Sequence, residues 1–265
     1  MKRILVIENT TGSVEHYYHF FFAALVPLLD QARVGQLDGL SYIRACGPMD
    51  AHLQALQSAG LAELQLVERR AFKALCQRVP DGLQIPLHSE ECYDREGVRD
   101  DGYRPAVLRR VAEFGIARFA PDAPESDVLL VERGAPDPFY LSRQSAIPGS
   151  ASTRRSIPNM DAVSDALENA GRTVRRVQLE HTTLAEQIGW FSRAQTVVAQ
   201  HGAALANVMW VREGSRVVEI IPQEQGRREH FSRLADVVGA TYEAVSQPEA
   251  HAPVVPEQIV RAVQA

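Results

Sequence analysis

From Asp127 to the last residue the chain alternates short apolar runs with amphipathic stretches, and this rhythm most constrains what it can fold into. "DVLLVERG" (Asp127 to Gly134) is an apolar run closed by charge and glycine, and it reads as a strand. "NMDAVSDALENAGR" puts Met160, Val163, Ala166 and Leu167 at helical spacing and stops at Gly171. "TVRRVQLE" alternates like a strand, and "TTLAEQIGWFSRA" begins with Thr183 followed three residues later by Glu186, a capping box. Strand "TVVAQ", a short helix in "AALANVMW", strand "RVVEIIP", helix "REHFSRLADVVGA", strand "TYEAVS" and helix "PEQIVRAVQA" complete the series. Strict alternation of this kind implies a parallel sheet covered on both faces, a doubly wound α/β domain.

The first half is less regular. "RILVIEN" reads as a strand and "SVEHYYHFFFAALVPLLDQA" as one long helix with Ser13 as its cap. "LSYIRAC", "MDAHLQALQSAG" and "LAELQLVE" give strand, helix and strand, then "RVPDGLQIPLHSEECYDREGVRDDGYRP" reads as irregular before a helix near "AVLRRVAEFGIARF". Pro, Asp and Ser cluster in "APDAPESD", which places a boundary between domains 1–125 and 126–265. Two such α/β domains enclose a cleft at the carboxyl ends of their strands.

The formal net charge of −5 excludes a general nucleic-acid binder and leaves small phosphorylated ligands open. Cys46, Cys76 and Cys92 have no zinc-site spacing and read as reduced thiols. The longest apolar stretch, "FFFAALVPLL", is about half of the roughly 20 residues a membrane span needs. "MKRILVIENT" turns polar too soon for a secretory signal. A cytoplasmic protein without a membrane span is expected.

The chemistry concentrates where an apolar strand meets "QHGAALAN". Small residues there let a ligand approach the backbone, and a helix amino terminus offers N–H groups to an anion. His201, Gly202 and Ala203 stand at that turn, or it is a tight turn whose histidine bonds a neighbouring loop. Arg133 ends the first strand of this half, and Arg154 and Arg155 precede "SIPN"; guanidinium groups grip phosphate oxygens in pairs, although an arginine pair is commonly a solvated one. Glu180 ends the second strand, and Glu219 lies inside "VVEII", where a carboxylate is costly unless it is paired or reads a ligand hydroxyl. In "EHYYHFFF", His16 and His19 share a helix face. No third metal ligand follows at useful spacing, so they read as a general base or as packing at a helix end. No G-x-G-x-x-G, G-x-S-x-G, P-loop or D-x-D is present, so no cofactor and no metal are expected.

"RRSIPN", then "VQLEHTTLAEQIGWFSRAQTVVAQHGAALANVMW", then "SRVVEIIP" resembles the signature of glycosyltransferase family 61, including its bacterial polysaccharide-biosynthesis members. The resemblance covers about Val128 to Val245, with a weaker likeness in "VEHYYHFFFAALVPLL", and Ala204 stands where the family usually has Gly. It implies a GT-B-like enzyme: two Rossmann-like domains facing a cleft, the first on the acceptor side and the second binding the nucleotide sugar. It also implies an inverting, metal-independent hexosyl or pentosyl transfer from a nucleotide sugar to a glycan or lipid-linked acceptor in cell-surface polysaccharide biosynthesis. Peripheral membrane association stays open. The matching motif positions add Asn159, Gln187 and Asn207 to Arg133, Arg154, Arg155, Glu180, His201, Gly202, Ala203 and Glu219 on the donor side. His19, with His16 as substitute, is the expected base, and Glu8 or Glu15 stands next. The rival readings are a nucleotide-sugar hydrolase or epimerase, and a non-catalytic nucleotide- or glycan-binding module.

Overall fold

A computed structural model describes residues 3–8, 12–90, 103–142, 150–225 and 229–265; Cys92 lies outside them. The chain divides into two compact units, Met1–Arg118 and Phe119–Ala265. Each holds a parallel sheet with helices around it, so the fold is α/β and Rossmann-like.

The first unit contains strands β1 (Arg3–Ile7), β2 (Leu40–Arg44), β3 (Glu63–Val67) and β4 (Gln84–Leu87), all parallel, in the order β3-β2-β1-β4. The helix after β1 is not continuous. It starts at Tyr17 with His16 as N-cap, passes through a π-helical turn at Phe21–Leu25 and resumes as Val26–Arg33. Pro27 explains the interruption, because its ring cannot donate to, and clashes with, the carbonyl four residues earlier. Ser13 belongs to the turn before the helix, where its hydroxyl accepts from the Glu15 N–H at 3.3 Å. The whole run Phe20–Leu29 is buried, so its apolarity builds a core. Among the described residues no helix is long and apolar enough to cross a membrane.

The stretch after β3 is more ordered than its composition suggests. Glu68 caps a helix, Arg69–Arg78, by accepting from the N–H groups of Arg70 and Ala71, and "QIPL" forms β4. Pro86 is tolerated there because β4 is an edge strand.

The second unit contains β5 (Ser126–Glu132), β6 (Val174–Gln178), β7 (Ala194–Gln200), β8 (Arg216–Pro222) and β9 (Thr241–Gln247), in the order β6-β5-β7-β8-β9, all parallel. The three inner strands are buried along most of their length and carry central apolar runs because both faces are covered. β6, at an edge, shows Arg175 and Arg176 to solvent. On one face, Val128, Leu130, Val198, Val218 and Ile220 pack with Val163 and Leu167 of the helix Met160–Asn169 and Ile259 and Val263 of the helix Pro256–Gln264. The other face carries the helices Leu184–Arg193 and His230–Val238 and a 3₁₀ helix, Ala203–Trp210. Thr183 caps Leu184–Arg193 in the capping box with Glu186. Side chains alternate along a strand, so with Val218 and Ile220 on the first face Glu219 points to the second.

Candidate active site

The sheet order of the second unit reverses at β5, whose neighbours are β6 on one side and β7 on the other. A parallel sheet leaves a crevice beyond the carboxyl ends at such a reversal. Arg133 follows β5 and His201 follows β7, so residues far apart in sequence meet there. Arg133 Nη2 donates to the His201 carbonyl at 2.6 Å, and Arg155 Nη1 donates to the same oxygen at 2.8 Å. A Cβ on Gly202 would stand 1.9 Å from Arg133 Nη2, so only glycine lets the guanidinium reach that carbonyl.

Two guanidinium groups thus share one neutral oxygen. Burial holds Arg133 down at about 10, and the charge of Arg155 adds to the effect, with Arg154 contributing less. Glu180 acts in the opposite sense. It lies beyond the end of β6 against Gly134, where a Cβ would come 2.8 Å from its Oε2, and that buried oxygen has no hydrogen-bond partner. Arg154 ends the short helix Ala151–Arg154 and is exposed.

His201 is buried, with its ring 5.6 Å from that of Phe231. Its Nδ1 lies 2.5 Å from Glu219 Oε1, and the Tyr242 hydroxyl donates to Glu219 Oε2 at 2.6 Å. A carboxylate can only accept, so Nδ1 is the donor and the ring's orientation is set. Glu219 is 0% exposed; its cost in an apolar strand is met by these two partners. Tyr242 has no mark in the sequence beyond its place in an alternating strand, and only the pairing of β8 with β9 brings it to Glu219.

The remaining motif residues build the wall behind the turn. Asn207 Nδ2 donates to Gln187 Oε1 and to the Ala204 carbonyl, both at 3.2 Å, while its Oδ1 accepts from Trp210 Nε1 at 3.0 Å. Asn159 exchanges two hydrogen bonds with the backbone of Val254 and ties the start of the helix Met160–Asn169 to the chain before the last helix. Ala203 opens the 3₁₀ helix, whose first N–H groups have no partner within the helix.

The family model of glycosyltransferase 61 matches residues 17–218. The chain belongs to glycosyltransferase family 61. No curated protein matches it. The match covers His19, the arginines and His201 and stops one residue before Glu219, so it takes in most of the arrangement just described in this glycosyltransferase.

The other predicted residues of the glycosyltransferase lie in the first unit. The rings of His16 and His19 are 5.5 Å apart, and a Cβ on Gly12 would meet His19 Nε2 at 2.2 Å. Glu15 is buried with Arg44 3.8 Å away. Glu8 pairs with His88, a residue that sequence reasoning passed over inside a segment read as irregular. Among the described residues no group of three or more His, Cys, Asp or Glu could hold a metal ion.

Proposed function

We propose that this glycosyltransferase is an inverting, metal-independent enzyme that moves a hexosyl or pentosyl group from a nucleotide sugar to a glycan or lipid-linked acceptor in cell-surface polysaccharide biosynthesis. Phe119–Ala265 binds the donor, Met1–Arg118 serves the acceptor, and the work is done in the cytoplasm. The observation that carries the reading is the convergence of Arg133 and Arg155 on the His201 carbonyl at the mouth of a 3₁₀ helix. The guanidiniums of Arg133, Arg154 and Arg155, with Glu180 acting in the opposite sense on Arg133, suit a diphosphate.

In such a transfer the sugar–phosphate bond breaks and negative charge grows on the leaving diphosphate. Arginines and backbone N–H groups can meet that charge without a metal ion. The carboxylate of Glu180, with an unpartnered oxygen, suits a hydroxyl of the donor.

The test is product analysis with donor alone and with donor plus acceptor, preceded by a thermal-shift screen of nucleotide sugars and nucleoside diphosphates. Transfer with inversion at the anomeric carbon, read by NMR, is the expected result. Free sugar from donor alone at the same rate makes the protein a hydrolase. Binding without turnover across the panel makes it a binding module.

A further inference from the structure

The sheet of the first unit also has a reversal. In the order β3-β2-β1-β4 it falls at β1, between β2 and β4. Ile7 and Leu87 are the last residues in register, so Glu8 and His88 are the first past the two carboxyl ends. The Glu8 N–H donates to the Leu87 carbonyl at 3.3 Å and keeps the two backbones in step. His88 Nδ1 lies 3.0 Å from Glu8 Oε2, and the side chains are 69% and 50% exposed. With Nδ1 donating to a carboxylate, the neutral ring keeps its lone pair on Nε2, on the far side from Glu8.

Other titratable groups of this unit are engaged differently. His52 is buried between the rings of Tyr17 and Phe20. The His19 ring lies against Gly12, Glu15 is buried beside Arg44, and Glu90 is buried and held by Arg104.

We propose that His88 is the base that takes the acceptor's proton and that Glu8 is its positioning residue. The assignment rests on the transfer reaction proposed above. The acceptor oxygen bonds to the anomeric carbon of the sugar as the bond from that carbon to the phosphate oxygen breaks. The nucleoside diphosphate leaves with the electron pair, and the acceptor's proton passes to His88 Nε2. Carboxylate-held imidazole is a common form of general base, and such bases contribute about 10²–10⁴-fold.

Both side chains are exposed, so alanine variants keep the fold, which circular dichroism checks. In single-turnover assays with donor and acceptor, His88→Ala should lose about 100-fold or more in rate while the Kd for nucleoside diphosphates stays unchanged. Imidazole added to the solution should restore part of that loss. Glu8→Ala should lose about tenfold, and the double variant should be no slower than His88→Ala alone, because the two act as one unit. A His88→Ala rate within about tenfold of wild type overturns the assignment, and a large loss in His19→Ala or His16→Ala then places the base on the first helix. Losses that multiply in the double variant remove Glu8 from its role. A wild-type protein that binds no nucleoside diphosphate and forms no product defeats the transfer reaction itself, and this assignment with it.

Discussion

Each unit of this glycosyltransferase carries a histidine paired with a glutamate near the carboxyl edge of a parallel sheet, and the two pairs differ in burial. Glu8–His88 stands in solvent, its glutamate side chain half exposed, whereas Glu219 is 0% exposed and holds His201 and Tyr242 together. An exposed pair adds no more than about 1 kcal/mol to stability because water competes for both partners and salt screens them. Breaking a buried pair strands its partner without solvent and costs about 3–5 kcal/mol. The same two residue types can therefore serve as an accessible reactive group in one place and as a structural brace in the other. Burial decides which.

The largest expected effect tests that contrast directly. Glu219→Ala should destabilise Phe119–Ala265 by about 3–5 kcal/mol, and Glu8→Ala should cost less than about 1 kcal/mol in its own unit. The chain has two tryptophans, Trp190 and Trp210, both in the second unit, so their fluorescence during urea unfolding reads Glu219→Ala, while hydrogen exchange of the Met1–Arg118 amides reads Glu8→Ala. Equal losses in the two variants would break the comparison.

Acid should separate the units as well. Burial lowers the pKa of His52 to about 4, so the folded chain keeps this ring neutral while the unfolded chain takes a proton at about 6.5. The stability is full above about pH 6.5 and is lost as pH falls toward 4, by roughly 3 kcal/mol in all. His52→Phe should abolish that loss in Met1–Arg118, measured by circular dichroism melts between pH 4.5 and 7.5 and by hydrogen exchange. An unchanged pH profile in the variant would place the acid sensitivity elsewhere.

The donor side can be sharpened by calorimetry. A charge-assisted hydrogen bond is worth about 1.5–3 kcal/mol, so Arg155→Ala should weaken nucleoside-diphosphate binding about tenfold or more. Unchanged affinity in both Arg133→Ala and Arg155→Ala would remove them from the diphosphate's surroundings. The smallest expected effect is none: EDTA should leave turnover intact, and a loss restored by Mn²⁺ or Mg²⁺ would overturn the metal-independent mechanism.

Much of the second unit was readable from spacing, because its signals are local. Thr183 and Glu186 lie one helical turn apart, and the apolar runs of β5, β7 and β8 contain no polar break except Glu219. The helix Arg69–Arg78 was hidden by its charge, since Phe72 is its one buried residue. β4 was hidden by Pro86, which a central strand would not accept and an edge strand does. The π turn at Phe21–Leu25 was concealed inside an apolar run that looked like continuous helix.

Composition and periodicity by themselves determined the α/β class, the parallel sheet of the second half and the strand-to-helix turn at His201. They also placed a costly carboxylate in "VVEII" without showing its partners. Tertiary structure alone decided that Glu219 braces His201 and Tyr242, that Arg133 and Arg155 share one carbonyl, and that His88 meets Glu8 across 80 residues of chain. The physical reason is that periodicity records which face of an element is buried, whereas strand order and register set which side chains come together. Those depend on contacts between distant segments, and no local pattern encodes them.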